Sequence, residues 1–162
     1  MKVLTHKRDA EKYIQSVKNW NIKEPEKKEV VKFLREYYSG HITNKRGHNP
    51  EALIEKVALG LRFILVHLKS YTQKDIKEFY DNLSLGKIKS FNKKTKKYNG
   101  SPYSQRSVVE IVSVLKRYLT FRFNKPELLK PLNVVISIKE KDVDSLSLEE
   151  INKMYRTCST NK

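Results

Sequence analysis

Residues 104–123 read SQRSVVEIVSVLKRYLTFRF, and whether this stretch is helix or strand decides the fold. The β-branched run from Val108 to Val114 suits a strand. The apolar residues, however, recur as Val108, Ile111, Val112, Leu115, Tyr118 and Leu119, the spacing of one helical face. That pattern outlasts an ordinary strand and has no turn signal inside it. A helix is therefore predicted, opened by Ser101-Pro102.

Upstream, the same period repeats. A short helix is predicted over His6–Trp20 from Ala10, Tyr13, Ile14 and Val17. Pro25 suits the first turn of a second helix, with Val30, Val31, Leu34, Tyr37 and Tyr38 on one face and Gly40 as its stop. After a polar loop, Asn49 as N-cap and Pro50 in the first turn open a third. Its apolar residues (Leu53, Ile54, Val57, Ala58, Leu61, Ile64, Leu65, Leu68, with Leu59, Phe63 and Val66 behind) nearly encircle it, which predicts a central position. Thr72 and Asp75 form a capping-box pattern before Ile76, Phe79, Tyr80 and Leu83, and Gly86 is a stop. Ser84–Gly100 is read as a lysine-rich loop. Beyond Lys125 come Pro126, Pro131 and the β-flavoured Val134–Ile138. Ser147 and Glu150 then make a second capping-box pattern, opening a helix with Ile151, Met154 and Tyr155 inward.

Charge is concentrated in one place. The chain carries a formal +16, and residues 87–125 hold eleven Lys or Arg against the single acid Glu110. Cations packed this densely repel one another unless the surface meets a polyanion, so nucleic acid is the first partner to consider. Within this region Lys87, Lys89, Lys93, Lys94, Lys96 and Lys97 form the loop cluster. At 100° per residue Arg106, Ser113, Arg117 and Thr120 fall together on the final helix, opposite its apolar face, with Lys116 beside them. Flexible ammonium groups suit phosphates, whereas arginines and short hydroxyls suit groove contacts. The alternative is a solvated face and a solubilising loop. Phe91, Tyr98 and Tyr103 interleave with the lysines, which also admits stacking on a single strand.

Other functions find little in the residues. At 162 residues and 38% hydrophobic, the chain can bury one core. No apolar run reaches the roughly 20 residues a spanning helix needs, and residues 1–12 lack the apolar core of a secretion signal. The one cysteine, Cys158, excludes an internal disulfide framework. The expected location is the cytoplasm, with no membrane partner. His6, His41, His48 and His67 have no metal-ligand spacing among themselves or with Cys158, and no phosphate-cradling Gly-rich loop or nucleophile elbow is present. No cofactor, metal site or small-molecule substrate is expected.

Three motifs together resemble the N-terminal core-binding domain of the tyrosine recombinase (phage integrase) family. Tyr71–Phe79 resembles its "T-x-x-D-I" helix start, and Ser104–Phe123, with Leu115–Leu119, its last DNA-binding helix. Asn124-Lys125-Pro126 followed by Leu146–Ile151 resembles the interdomain linker and the first catalytic-domain helix. The resemblance implies an all-α fold: a four-helix, SAM-like bundle that clamps one side of duplex DNA, with an extra N-terminal helix. The implied division is an extension over 1–22, the DNA-binding domain over 23–125, and a linker with the first helix of a missing catalytic domain over 126–162. The family's catalytic Arg–Lys–His–Arg–His set and tyrosine nucleophile all follow the position where this chain ends. No catalytic residue is therefore assigned, and Tyr155 and Arg156 lie too early to belong. The expected partners are duplex DNA and other recombinase protomers on the same DNA. A free-standing regulatory DNA-binding protein is the main rival, and an RNA-binding module the third reading.

Overall fold

The computed structural model describes residues 9–92 and 97–134. The elements in order are α1 (Ala10–Ser16), running into a 3₁₀ turn (Val17–Asn19), α2 (Glu24–Tyr38), α3 (Glu51–His67) and α4 (Gln73–Ser84). A hairpin of β1 (Lys89–Asn92) and β2 (Lys97–Pro102) precedes α5 (Gln105–Phe123) and α6 (Pro126–Leu129), which passes into a second 3₁₀ turn (Lys130–Leu132). The chain is predominantly helical, as expected, but it carries a small two-stranded antiparallel sheet where a loop was expected. The expected helix after Ser147 and the strand-like 135–138 lie outside the described residues.

Helix ends follow local chemistry. The Thr72 hydroxyl accepts from the Asp75 N–H at 3.2 Å, so α4 begins as expected. Two other starts differ. Ser104, not Ser101, caps α5, its hydroxyl accepting from the Ser107 N–H at 3.2 Å. Pro102 closes β2 instead, a strand-end position where its missing N–H costs no ladder bond. At α3, Pro50 is the cap and Asn49 does not serve. The Asn49 amide turns back to donate to the Tyr37 carbonyl (2.5 Å) and the Thr43 hydroxyl (2.9 Å). It is a second donor to a carbonyl that already accepts the Gly40 N–H at 3.2 Å, and so ties the end of α2 to the start of α3 through one buried side chain.

The core forms two neighbouring clusters. In the first, Ala10, Ile14, Val17 and Trp20 pack with Val30, Phe33, Leu34 and Tyr37 of α2, Ile54, Val57, Ala58 and Leu61 of α3, and Tyr118 of α5. In the second, Ile76, Phe79 and Leu83 of α4 meet Val108, Val112, Leu115 and Leu119 of α5, together with Ile64, Leu128 and Leu132. Helices α3 and α5 contribute to both and form the spine. Lys56 pairs with Glu110, and Gly60 faces Val114, so the two helices advance together. The predicted inner face of α5 is the buried one, with Ile111 half-covered. On α3 the apolar girdle is not fully buried, since Val66 is 65% exposed. Packing continues across residues 22–23 and 125–126, the expected domain boundaries.

Candidate nucleic-acid interface

The hairpin grows from the end of α4 and leads into α5. Gly86 makes this possible: its φ is +70°, and a Cβ there would lie 2.5 Å from the Pro102 Cβ. The chain leaving α4 thus presses directly on the end of β2. The Lys87 and Ile88 N–H groups both donate to the Asn82 carbonyl, at 2.9 and 3.2 Å. Ile88 and Tyr103 pack into the second cluster, and Tyr103 meets Phe63 edge-on at 5.3 Å. The hairpin's root is therefore held by backbone and core contacts together. The strands pair Lys89 with Pro102, Phe91 with Tyr98 and Asn92 with Lys97, with a bulge between Lys89 and Phe91.

Of the predicted lysines, Lys87 and Lys89 are exposed at this root and Lys97 belongs to β2. Lys93, Lys94 and Lys96 lie outside the described residues. Along α5, the Arg106 side chain is 90% exposed and reaches Glu110 at 3.5 Å. Glu110 also takes Lys56 at 2.9 Å. The Lys56 ammonium first, then the Arg106 guanidinium, hold the Glu110 carboxyl below the usual carboxylate range. One acid between two cations leaves this end of the helix positive. Thr120 is exposed, its hydroxyl donating to the Lys116 carbonyl at 2.9 Å. Ser113 and Lys116 are half-buried and line a shallow groove with Tyr80, Val109 and Leu132.

Arg117 is engaged differently. Its guanidinium donates to the Tyr37 hydroxyl and lies 5.6 Å from the centre of that ring, so part of its hydrogen-bonding fork is spent inside the protein. Arg106 and Thr120 are thus the freer members of the predicted stripe. Periodicity alone did not single out Lys56, whose role depends on the α3–α5 pairing. Nor did it single out Lys32, whose ammonium lies 5.9 Å from the Phe121 ring centre.

A second polar centre escaped the sequence reading entirely. The Glu26 carboxylate, in the first turn of α2, accepts from the Tyr71 and Tyr118 hydroxyls and pairs with Arg122. Arg122 also lies 4.8 Å from the Tyr71 ring centre and 4.9 Å from that of Phe123. Burial alone would raise the Glu26 pKa, but the two phenols and the guanidinium outweigh it and the net shift is downward. Both tyrosines move the other way, by burial first and then by the carboxylate they donate to. They stay neutral donors at any ordinary pH. The signal available was Tyr118 itself, a phenol in an aliphatic stripe four residues before an arginine, because a buried hydroxyl requires a partner.

Among the described residues, no three His, Cys, Asp or Glu side chains gather as a metal would need, and no helix is long and apolar enough to cross a membrane. Comparison with family models, curated proteins and solved structures finds no match.

Proposed function

We propose that this chain binds duplex DNA through the β1–β2 hairpin and the outward face of α5, as the core-binding half of a site-specific tyrosine recombinase. The observation that carries the reading is the rooted hairpin. A strongly basic ribbon is held against the start of the helix that presents Arg106, so flexible phosphate contacts and a rigid arginine face can meet one duplex together. Four packed helices, α2 to α5, with the basic insertion between the last two, support the recombinase assignment.

The direct test titrates the purified chain against labelled duplex over 50–200 mM salt. Affinity should fall by roughly 0.9 log unit per log unit of salt for each phosphate neutralised. Undetectable or salt-indifferent binding overturns the proposal. The same preparation is expected neither to nick nor to relax supercoiled DNA, because no member of the family's catalytic set is assigned to it. A covalent phosphotyrosine adduct would show that assignment to be mistaken.

Specificity is tested at the freest arginine. A bidentate arginine–guanine contact in the major groove discriminates by about 1–3 kcal/mol. Arg106→Lys keeps the charge and loses the planar fork. In selection from a random duplex library, the variant should lose base preference at one position while total binding changes little. Equal loss on selected and random duplex would assign Arg106 to phosphates. Arg117→Lys should show a weaker specificity effect and a stability cost, since its fork already holds Tyr37.

A further inference from the structure

The loop between α2 and α3 is a second, preformed basic element, tied to α5 through Tyr37. Gly40, Asn44 and Gly47 all adopt positive φ, at +87°, +53° and +78°. A Cβ on Gly40 would lie 2.6 Å from the carbonyl oxygens of both Lys45 and Gly47, so the loop closes tightly upon itself. Asn49 clamps its far end, with the backbone N–H to the Tyr38 carbonyl at 2.7 Å and the side chain to Tyr37 and Thr43. Lys45 and Arg46 stand exposed at the tip, with no carboxylate partner among the described residues. The nearby acid Glu36 is occupied by His41, whose Nδ1 is 2.6 Å from it, and His48 stacks on Tyr38 at 4.7 Å. The link to α5 is direct: Tyr37 receives Arg117 at its hydroxyl and Asn49 at its carbonyl. One buried tyrosine therefore fixes the loop relative to the helix stripe.

We infer that Lys45 and Arg46 form a second phosphate-binding point, contacting the sugar–phosphate backbone of the same duplex that meets α5. The inference rests on the duplex-binding reading. It gives the loop's rigid closure a role, because cations held in place lose less freedom on binding than cations on a mobile tail.

The experiment compares Lys45→Gln/Arg46→Gln with wild type by salt titration on random-sequence duplex. Two lost phosphate contacts should flatten the log–log slope by about 1.8 and weaken binding about sixty-fold at 0.1 M salt. The control is Lys18→Gln/Lys28→Gln, which removes the same charge from the groove between α1 and α2, where Lys28 lies on the opposite side of α2 from Phe33 and Tyr37. It should change the slope far less. A wild-type slope in the loop variant, or equal flattening in the control, overturns the inference while leaving duplex binding intact. Wild-type protein that shows no salt-dependent binding removes the duplex reading itself, and the inference with it.

Discussion

Replacing Lys93, Lys94, Lys96 and Lys97 together with Gln is expected to weaken duplex binding about four-thousand-fold at 0.1 M salt. Each lysine that neutralises one phosphate adds roughly 0.9 to the salt exponent, so four contribute about 3.6 log units. These residues occupy the connection between β1 and β2 and the start of β2, within the densest run of positive charge in the chain. Ammonium groups act on phosphates as point charges and carry little base information. The loss should therefore be equal on every sequence, and the preference measured through Arg106 should survive it. Salt titration of the quadruple variant on selected and random duplex checks both parts. An unchanged slope would make the lysines a solubilising appendage and move the interface to the helix face and the α2–α3 loop.

The largest stability effect is expected at Glu26. Glu26→Ala leaves the Arg122 guanidinium, 19% exposed, without its carboxylate, and the buried Tyr118 and half-buried Tyr71 phenols without their acceptor. Breaking a buried ion pair costs about 3–5 kcal/mol, and the residual exposure here places the expectation near 3. For a domain of this size that corresponds to a Tm lower by about 10 °C. Removing Arg122 as well should cost less than the sum of the single changes, since one partner's loss already strands the other.

The same centre has a pH signature. Because the folded-state pKa of Glu26 is depressed, its contribution is fully present above the ordinary carboxylate pKa and is lost as pH falls through the lower folded value. Acid titration of stability should therefore be steeper in wild type than in Glu26→Gln, which carries no titrating group there. Identical acid limbs would show that the carboxylate is not held as its contacts imply.

Much of this arrangement is legible in the sequence. The three-and-four spacing of Val108, Val112, Leu115 and Leu119 identified α5 as a helix despite its β-branched residues, because burying one face outweighs a small intrinsic preference. Thr72 announced α4 because a hydroxyl at that offset has one obvious donor to accept. The hairpin was hidden because lysines and polar residues carry no alternation, and its register depends on the distant fit of Gly86 against Pro102. Asn49 was misread because an amide before Pro50 looks like a cap, whereas the carbonyl of Tyr37, twelve positions earlier, takes it as a second donor beside the Gly40 N–H. At the site, the stripe Arg106–Thr120 could be drawn from periodicity alone. The diversion of Arg117 to Tyr37 could not, since it depends on how α2 crosses α5.

The Glu26 centre also bears on how the chain reaches its native state. Its carboxylate lies 45 positions before Tyr71 and 92 before Tyr118. Closing so long a span carries an entropic cost that local helix formation does not, which predicts that this contact forms late in folding and that Glu26→Gln speeds unfolding more than it slows folding. Interactions absent from the transition state act chiefly on the unfolding rate, which makes Glu26 a brake on opening more than an aid to collapse. During synthesis the consequence is sharper. Phe33 packs edge-on against Tyr118 and Phe121, both close to the end of α5. Until that helix has left the ribosome, α2 carries an uncovered aromatic face, and this interval of translation is when the nascent chain is most exposed to aggregation.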